Sequence, residues 1–363
     1  MDETRKSYFA RQIRLPSFGE KGQEKLLSSS ALVIGLGGLG TPAVMYLANS
    51  GVGKIGVMDF DTVEMSNLHR QPIYSLADLG KRKAQVTSDF LKNRTPEIEI
   101  KSFEFPFTEE IGSDFLKEWD VVLDCTDSLS SKMAANDLCV KAGKPFVFAS
   151  VFRISAQIAL FSGKGKPCYR CLYPNLENSA SLMSCEDGGV LGIITGLAGM
   201  QQASFAIRSL LSQSENIEGK LFQLDWDSPV LYETKIQPNV KCTICSDKSK
   251  NLFEMKQLNP EEITFFEYST LSKSEPTFLV DVREEDEQFA EPISGSCSLP
   301  LSQIEAGTRP SFPKDSTIVA ICATGVRSKR AVSLLKSSYG SVYSFKGGKR
   351  FFDSYSNSRE KKD

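Results

Sequence analysis

The stretch VIGLGGLGTPAV, residues 33–44, constrains the fold of this chain more than any other feature of the sequence. An apolar run leads into a glycine-rich turn, and a segment compatible with a helix follows. Gly35, Gly37 and Gly40 fit the G-x-G-x-x-G pattern, with Gly38 as an additional small residue. Glycine in such a unit permits a sharp turn, close approach of a diphosphate and tight helix–strand packing. The pattern therefore predicts a nucleotide at this turn, although tight packing alone is an alternative explanation.

The surrounding segments indicate an α/β fold. The strand-like runs ALVIG, KIGVMDF, VVLDCTD and PFVFASV alternate with helical stretches from residue 31 to about 150, which is typical of a Rossmann-like, doubly wound parallel sheet. SAQIALFSG and FQLDWDSPVLYETKI are expected to form later strands, with an antiparallel arrangement as one option. We expect a first domain over residues 1–246, a polar linker over 247–260, a small second α/β domain over 261–356 and a tail over 357–363.

Composition excludes several classes of protein. The chain has 363 residues, of which 40% are apolar, and its 43 basic and 45 acidic residues give a net charge of -2. No long basic run indicates binding to nucleic acid or to a membrane surface. The start of the chain is polar, and VLGIITGLAGM is too short to cross a bilayer, so we expect a cytoplasmic protein. Nine cysteines in a reducing compartment suggest metal ligands and reactive thiols rather than disulfides.

Charged residues close to the glycine turn favour ATP over a dinucleotide. Asp59 ends the strand KIGVMDFD, where a ribose-binding acid belongs, and Asn67, Arg70 and Lys83 follow it. The diphosphate of a dinucleotide is largely satisfied by backbone amides, whereas a triphosphate that loses pyrophosphate needs dedicated cations. The alternative is that these charges form a solvated rim.

The segment VVLDCTD offers a position for magnesium. Asp124 and Asp127 lie where a predicted strand ends, and a carboxylate there, beside phosphates, can hold Mg²⁺. The alternative is that Asp127 caps the following helix. The residues alone leave both interpretations open.

Residues 7–246 resemble the MoeB/ThiF family, the bacterial relatives of ubiquitin-activating enzymes. The resemblance rests on RQI, GLGGLG, DFDTVEMSNLHRQ, LDCTD, PCYRC and CTIC, which occur in the family order. It implies adenylation, by ATP and magnesium, of the C-terminal glycine of a small ubiquitin-like sulfur carrier that ends in Gly-Gly. Because a C-terminal carboxylate is already ionised at neutral pH, this chemistry needs alignment and charge cancellation but no general base.

The resemblance also implies roles for individual residues. It assigns the phosphates to Gly38 with Gly35, Gly37 and Gly40, the ribose to Asp59, the triphosphate to Asn67, Arg70 and Lys83, and magnesium to Asp127. Arg11 matches an arginine that reaches into the nucleotide site of the partner subunit, which implies a homodimer. Two departures are Ser128 in place of the usual asparagine and Lys132 in place of an arginine. His69 stands where the family often has glutamine, and we interpret it as structural or adjacent to the nucleotide.

Two C-x-x-C pairs, Cys168 with Cys171 and Cys242 with Cys245, predict a tetrahedral, all-thiolate zinc site of the closed, structural kind. A thioredoxin-like redox pair is the alternative for either pair alone. Cys185, in LMSCEDGGVLG, matches a family segment that crosses the active site. Its thiol is a candidate for accepting the acyl group or exchanging sulfur, and an ordinary buried cysteine is the alternative.

Cys322 opens the loop CATGVRS, whose amides can form an anion-binding nest, with Arg327 adding positive charge. With LVDVR before it and a Gly347-Gly348 turn after it, residues 261–356 resemble a rhodanese domain. The resemblance implies that Cys322 carries a persulfide, supplied by a donor such as a cysteine desulfurase. Ala323 replaces the common arginine, which argues against thiosulfate as the physiological donor.

The remaining cysteines, Cys125, Cys139 and Cys297, have no such context and are expected to be packing residues.

The two resemblances together imply a homodimeric enzyme that adenylates a sulfur carrier and then converts its C-terminus to a thiocarboxylate. Molybdopterin biosynthesis is the favoured pathway, and thiamine thiazole synthesis or another sulfur-carrier route is the alternative. Two hypotheses from other classes are an NAD-dependent oxidoreductase, which leaves Arg70 and Lys83 unexplained, and a non-catalytic sulfur-relay protein that binds the carrier without forming an adenylate.

Overall fold

A computed structural model describes residues 1–95, 98–174, 189–246, 261–313, 316–336, 338–349 and 352–353. The chain divides into two compact units. Met1–Glu109 and Ser113–Asn251 form the first unit, and Leu252–Asp363 with Glu110–Gly112 form the second.

The first unit contains an eight-stranded sheet with the order β3-β2-β1-β4-β5-β6-β7-β8. Its strands are β1 Ser30–Ile34, β2 Lys54–Met58, β3 Glu99–Phe103, β4 Val121–Asp124, β5 Phe146–Phe152, β6 Ser155–Phe161, β7 Lys220–Asp225 and β8 Ser228–Lys235. Strands β1 to β5 pair in parallel, and β6 to β8 continue the sheet in antiparallel fashion. The predicted doubly wound sheet is confirmed, and its later strands take the antiparallel option.

The described helices of the first unit are α1 Glu3–Tyr8, α2 Ala10–Ile13, α3 Gly19–Leu27, α4 Gly40–Asn49, α5 Lys83–Arg94, α6 Ser113–Leu116, α7 Leu129–Ala142, α8 Tyr169–Leu172 and α9 Gly192–Leu210, with 3₁₀ turns at Met65–Arg70 and Leu76–Asp78. A further 3₁₀ turn, Glu109–Ile111, begins at the last residue of Met1–Glu109 and continues into Glu110–Gly112, which are assigned to the second unit. Helix α9 packs closely against the start of α4. The contact is so close that a Cβ atom on Gly199 would lie 2.2 Å from the carbonyl oxygen of Leu39. Glycine at this position therefore permits the close helix contact.

The core of the first unit follows from its strand sequences. All five residues of β1 are buried, as expected for a parallel strand that is covered by helices on both faces. Val33, Val57, Leu123 and Val147, from four neighbouring strands, belong to one apolar cluster with residues of α4 and α9. Since β1 pairs with β2 on one side and with β4 on the other, the strand order reverses at β1. A crevice forms at such a reversal, outside the carboxyl ends of the strands.

The second unit is a parallel five-stranded sheet with the order β11-β10-β12-β13-β9. Its strands are β9 Glu262–Ile263, β10 Thr277–Asp281, β11 Ser296–Ser298, β12 Thr317–Ile321 and β13 Ser341–Phe345, and its described helices are α10 Phe265–Ser274, α11 Glu285–Ala290, α12 Leu301–Glu305 and α13 Val326–Leu335. Strand β12 is central and entirely buried, and the loop that begins with Cys322 follows it directly.

Across the described parts of both units, every helix falls short of the length and apolar character that crossing a membrane requires.

Candidate functional site

A cleft of about 400 Å³ lies at the carboxyl ends of β1, β2 and β4, where the strand order reverses. Eight of the predicted nucleotide-site residues line it: Gly35, Gly37, Gly38, Asp59, Asn67, Arg70, Lys83 and Asp127. The fold thus brings together residues that are up to 92 positions apart, counting from Gly35 to Asp127. Phe105, Pro106 and Phe107, which follow β3, add an apolar wall that no sequence motif predicted.

The glycines of the turn have distinct structural tasks. Gly35 has a φ of +87°, and a Cβ atom there would lie 2.8 Å from the carbonyl carbon of Cys125. Gly40 begins α4, and a Cβ atom there would lie 1.9 Å from the carbonyl oxygen of Gly35. Gly40 therefore serves the packing of helix against strand, whereas Gly37 and Gly38 line the cleft itself.

Asp59 is 8% exposed and holds the backbone of the glycine turn. Its Oδ2 accepts a hydrogen bond from the amide of Leu36 at 2.6 Å, and its Oδ1 accepts one from the amide of Asp61 at 2.8 Å. Burial raises the pKa of the Asp59 carboxyl, while the charge of Lys83 and the two amides act in the opposite direction. Each carboxylate oxygen keeps a further acceptor site for a ribose hydroxyl.

Tyr74 holds the same peptide from its other side. Its hydroxyl lies 2.9 Å from the carbonyl oxygen of Leu36 and 3.0 Å from Oγ1 of Thr87 on α5. The Leu36 peptide is therefore fixed through its amide by Asp59 and through its carbonyl by Tyr74. Sequence reasoning missed Tyr74, since nothing local distinguishes this tyrosine from an ordinary core aromatic.

Arg70 ends the 3₁₀ turn Met65–Arg70 at the edge of the cleft. Its guanidinium donates to the carbonyl oxygen of Ser66 at 2.8 Å and to Oδ1 of Asn67 at 3.3 Å, and it lies 3.0 Å from Nε2 of His69. None of these partners is a carboxylate, so the contacts orient the guanidinium without cancelling its charge. His69 is exposed and touches Arg70, which is compatible with a structural role.

Lys83 begins α5 and is buried, with its Nζ 3.1 Å from Oδ2 of Asp61. Asp61 is half-exposed and lines the cleft, but the sequence analysis did not select it. The lysine is therefore held in place by a carboxylate at the edge of the cleft, and a bound phosphate group would compete for it.

Asp124 and Asp127 differ sharply in environment. Asp124 is fully buried, and its Oδ1 accepts from the Thr126 hydroxyl at 2.7 Å while its Oδ2 lies 2.8 Å from Nζ of Lys132. Asp127 is exposed and lines the cleft. The helix cap of α7 is Ser128, whose Oγ accepts from the amide of Ser131 at 3.4 Å. The interpretation of Asp127 as the helix cap is therefore wrong, and its carboxylate faces the cleft.

Lys132, which stands in place of the family's arginine, is buried among protein groups. It is 5% exposed, and Nζ donates to Asp124, to the carbonyl oxygen of Thr126 at 2.6 Å and to that of Ala149 at 2.8 Å. These three acceptors match the three hydrogens of an ammonium group. Lys132 thereby ties the loop that carries Asp127 to strands β4 and β5.

The four cysteines of the two C-x-x-C pairs form one buried cluster, in which all sulfur atoms lie within 4.8 Å of one another. Cys168 is 3.7 Å from Cys242, and Cys171 is 3.4 Å from Cys245. A tetrahedral site with Zn–S distances near 2.3 Å has sulfur–sulfur edges of about 3.8 Å, so this donor set fits a zinc ion. The amide of Asn239 also points to the Cys171 sulfur at 3.4 Å, a contact typical of thiolate ligands.

Besides Gly40, Arg11 is a predicted site residue that does not line the cleft, and Cys185 lies outside the residues that the structure describes. Arg11, on α2, is exposed and does not line the cleft of its own chain. Its neighbour Gln12 anchors the segment by donating to Oε1 of Gln23 at 2.7 Å and to the carbonyl oxygen of Ser50 at 2.9 Å. Cys185 lies outside the described residues.

In the second unit, Cys322 is 1% exposed and lies at the start of a turn that ends in α13. Its sulfur accepts from the amide of Gly325 at 3.1 Å and from the amide of Ser328 at 3.4 Å. Burial acts to raise the pKa of the thiol, but hydrogen bonds from Ser328, Thr324 and Gly325 outweigh it and lower the pKa below its ordinary value. The loop thus stabilises a thiolate, as the nest geometry predicted.

The Gly347-Gly348 turn, which follows β13, packs against the Cys322 loop. The amide of Lys349 donates to the carbonyl oxygen of Cys322 at 2.7 Å. Gly348 has a φ of +68°, and a Cβ atom there would lie 2.4 Å from the carbonyl oxygen of Ala323. Only glycine permits this approach. Arg327 pairs with Glu287 of α11 at 2.5 Å, a partner that the sequence analysis did not identify.

The three cysteines without a predicted chemical role, Cys125, Cys139 and Cys297, differ in their exposure to solvent. Cys125 and Cys139 are buried, as expected of packing residues, and Cys125 donates to Oε1 of Gln202 at 3.2 Å. Cys297 is exposed on β11, an edge strand, so its interpretation as a packing residue is wrong.

Comparison with known proteins identifies both units. The model of the ThiF family matches residues 9–244. The chain belongs to the ThiF family. The model of the rhodanese-like domain matches residues 267–352, so this member of the ThiF family carries a rhodanese-like domain after its first unit.

Curated relatives of this ThiF family member match over both units. "Adenylyltransferase and sulfurtransferase MOCS3" of Aedes aegypti is 34% identical over 87% of this chain and 76% of the relative. "Probable adenylyltransferase/sulfurtransferase MoeZ" of Mycobacterium tuberculosis is 32% identical over 90% of this chain and 87% of the relative. Both relatives therefore share the arrangement of two units in one chain.

Solved structures support the fold of the first unit. The crystal structure of E. coli MccB with AMPCPP and MccA aligns with a TM-score of 0.56 and 23% identity, covering 67% of this chain and 74% of that chain. At this level of identity the likeness concerns the fold alone.

Proposed function

We propose that this enzyme uses ATP to adenylate the C-terminal glycine of a small ubiquitin-like sulfur carrier and then transfers sulfur from a Cys322 persulfide to form a thiocarboxylate. The observation that carries the proposal is that eight predicted nucleotide-site residues line one cleft, in a chain that also holds a hydrogen-bonded, rhodanese-like cysteine. The relatives that match over both units are named for the same two activities. An NAD-dependent oxidoreductase explains neither the cations of the cleft nor Cys322.

The first half-reaction needs position and charge rather than a general base. A carboxylate oxygen of the carrier attacks the α-phosphorus, the bond to the β-phosphate breaks, and pyrophosphate leaves. Arg70 and Lys83 would balance the negative charge that develops on the phosphates, while the amides of the glycine turn orient them. Asp127 would hold magnesium, which supplies further charge neutralisation when bound. Asp124 is unsuited to this task because its oxygens already bind Lys132 and Thr126.

The second half-reaction uses the second unit. The terminal sulfur of the Cys322 persulfide attacks the carbonyl carbon of the acyl-adenylate, and AMP leaves. A second thiol, for which Cys185 remains the candidate, then attacks the Cys322 sulfur, which frees the thiocarboxylate and leaves a disulfide between the two cysteines. A thiol reductant would reduce this disulfide, after which a persulfide donor, such as a cysteine desulfurase, would reload Cys322. Carrying both groups in one chain raises their effective concentration toward each other.

The same proposal includes a zinc ion held by Cys168, Cys171, Cys242 and Cys245. Four thiolates leave no open position, so the ion would be structural rather than catalytic. Arg170 of α8 binds Asp137 of α7 at 2.8 Å, which links the cluster to the helix that follows Asp127. Zinc would therefore stabilise one wall of the nucleotide site.

We further propose that the carrier docks on the antiparallel end of the first unit. Strand β8 is an edge of the sheet, with backbone groups available for pairing with another strand. Trp226, Val230 and Tyr232 are each more than half exposed beside this edge or on it. A long, apolar edge strand is unusual for a surface without a partner, and a carrier built on a sheet would suit it.

A homodimer would complete the nucleotide site. Arg11 is exposed on a segment that Gln12 anchors, so its guanidinium is free to reach a second subunit. Ile193 and Leu197, one turn apart on α9, are 52% and 41% exposed, and Tyr46 of the adjoining α4 is 50% exposed. This apolar stripe is suited to burial against a second copy.

The pathway is proposed from the relatives. The MOCS3 relatives favour molybdopterin biosynthesis, with thiamine thiazole synthesis or another sulfur-carrier route as the alternative. The domain limits 1–246 and 261–356, with a linker between them, remain part of this proposal, as does a cytoplasmic location.

The two half-reactions can be tested apart with one pair of variants. Asp127→Ala is expected to abolish carrier-dependent pyrophosphate exchange, whereas Cys322→Ala should retain exchange but lose the persulfide and most thiocarboxylate. Pyrophosphate exchange reports the first step, and mass spectrometry of the carrier reports the second. Thiocarboxylate at the wild-type level in the Cys322 variant would contradict the role of the second unit, and unchanged exchange in the Asp127 variant would contradict the role of the cleft.

A further inference from the structure

The positive charge beside the Cys322 loop is already paired. Arg327 lies at the start of α13, next to Ser328, whose amide contacts the Cys322 sulfur. The guanidinium binds both oxygens of Glu287, at 2.5 and 2.7 Å. Such a bidentate pair is strong and planar, so little of the cation remains for an anionic substrate.

Glu287 is itself held in place by its own helix. Its Oε2 accepts from the amide of Glu284 at 3.2 Å, completing a capping box at the start of α11. The guanidinium of Arg283, which is bound to Asp281 at 2.6 Å, lies 3.4 Å from the carbonyl oxygen of Glu287. The hydrogen bond from Arg327 lowers the pKa of the Glu287 carboxyl to about 2, so the carboxylate is charged throughout the physiological range. Both partners are about one third exposed, at 32% and 37%, so the pair borders solvent.

The two classes of sulfur donor, thiosulfate and persulfides, differ in their negative charge. Thiosulfate is a dianion and depends on an unpaired cation close to the attacking thiolate. A persulfide carries one negative charge on its terminal sulfur, and the amides of the loop suffice to hold it. The position after the nucleophile is Ala323, which adds no charge.

We propose that Glu287 determines the donor specificity of the Cys322 loop: by neutralising Arg327, it disfavours thiosulfate relative to persulfide donors. This inference rests on the proposed role of Cys322 as the sulfur-carrying thiol. With either donor, the Cys322 thiolate attacks the outer sulfur and the donor's sulfur–sulfur bond breaks. Sulfite or the donor thiolate leaves, and Cys322 becomes a persulfide. The exchange requires no added oxidant or reductant.

The test compares loading of Cys322, in the chain with both units, by thiosulfate and by cysteine persulfide, whose net charge is a single negative one, using mass spectrometry to detect the added sulfur atom. In Glu287→Gln the ratio of loading rates, thiosulfate to persulfide, is expected to rise about tenfold, because a dianion then meets an unpaired cation. The rise should come mainly from a lower KM for thiosulfate, and it should shrink as ionic strength increases. Merely structural damage would not raise a rate.

Glu285→Gln is the matched control, since it removes the same charge from the same helix while its carboxylate binds Gln303 rather than Arg327. The double variant Glu287→Gln with Arg327→Gln should lose the gain. If Glu287→Gln does not fold, Glu287→Asp shortens the side chain and should give a smaller gain in the same direction.

The experiment distinguishes failure of the inference about Glu287 from failure of the proposed role of Cys322. An unchanged donor ratio, or an equal rise in Glu285→Gln, with normal persulfide loading, overturns the assignment of Glu287 alone. Absence of loading by both donors in the wild type overturns this inference together with the proposed role of Cys322.

Discussion

Nζ of Lys132 lies 2.8 Å from Oδ2 of Asp124 in the interior of the first unit, and neither side chain is more than 6% exposed. Lys132 also donates to the carbonyl oxygens of Thr126 and Ala149. The pair therefore fixes the loop between β4 and α7, whose exposed residue is Asp127. The lysine that departs from the family pattern is therefore a buried support of this loop.

Replacing Lys132 by methionine should destabilise the first unit strongly. Asp124 would remain buried without its counter-charge, and breaking a buried pair in this way costs about 3–5 kcal/mol. Urea unfolding measures the loss, and pyrophosphate exchange should fall with it. The double variant Lys132→Met with Asp124→Asn should recover part of the stability because no buried charge is left unpaired. A Lys132→Met protein as stable as the wild type would contradict the assignment.

Zinc should co-purify with the protein at about one ion per chain, because four clustered thiolates fill a tetrahedral site. Cys171→Ser is expected to lower the zinc content and the thermal unfolding midpoint. Cys297→Ser, which changes an exposed thiol outside the cluster, is the control and should retain the metal. Metal analysis without zinc, with all four thiols freely alkylated in the native protein, would rule out the site.

Mixing two inactive variants tests whether Arg11 acts across a dimer. In a mixed dimer of Arg11→Ala with Asp127→Ala, one site would have both Asp127 and the arginine of its partner, while the other would lack both. Random exchange of subunits should then restore about a quarter of the wild-type pyrophosphate exchange. Arg70→Ala mixed with Asp127→Ala is the control, because each site keeps one defect. Equal results in the two mixtures would show that Arg11 does not act in trans.

The hydrogen bonds to Cys322 should shift the pH dependence of its alkylation. Burial alone would raise the pKa of the thiol, but Ser328 and the loop amides lower it, so the alkylation rate should rise at a lower pH than for an ordinary cysteine. Ser328→Ala keeps the amide but removes the hydroxyl, which lies 3.6 Å from the Cys322 sulfur and can donate to a thiolate, so it should move the midpoint to higher pH. Ser333→Ala, an exposed change on the same helix, should leave it unmoved. The midpoint is the informative quantity because burial slows alkylation at every pH.

The features that could be predicted from the amino-acid sequence are those that depend on residues close together along the chain. Alternating apolar runs predicted the parallel sheet, and the glycines after Ile34 predicted the turn between β1 and α4. Cys322 followed by a short glycine-containing loop predicted the thiolate nest. Each of these depends on backbone conformation and on side-chain spacing within a few residues, which the order of amino acids specifies directly.

The pairing of polar groups could not be predicted from the sequence, because it depends on the three-dimensional fold. Asp59 binds the amide of Leu36, 23 residues earlier, and Arg327 binds Glu287, 40 residues earlier. Cys168 and Cys242 come together across 74 residues. A charged or polar side chain has the same local pattern whether it faces solvent or a buried partner, because its partner is chosen by strand order and helix packing. The sequence therefore indicated where the chemistry lies, while the fold determined that Lys132 is a buried support and that the charge of Arg327 is neutralised.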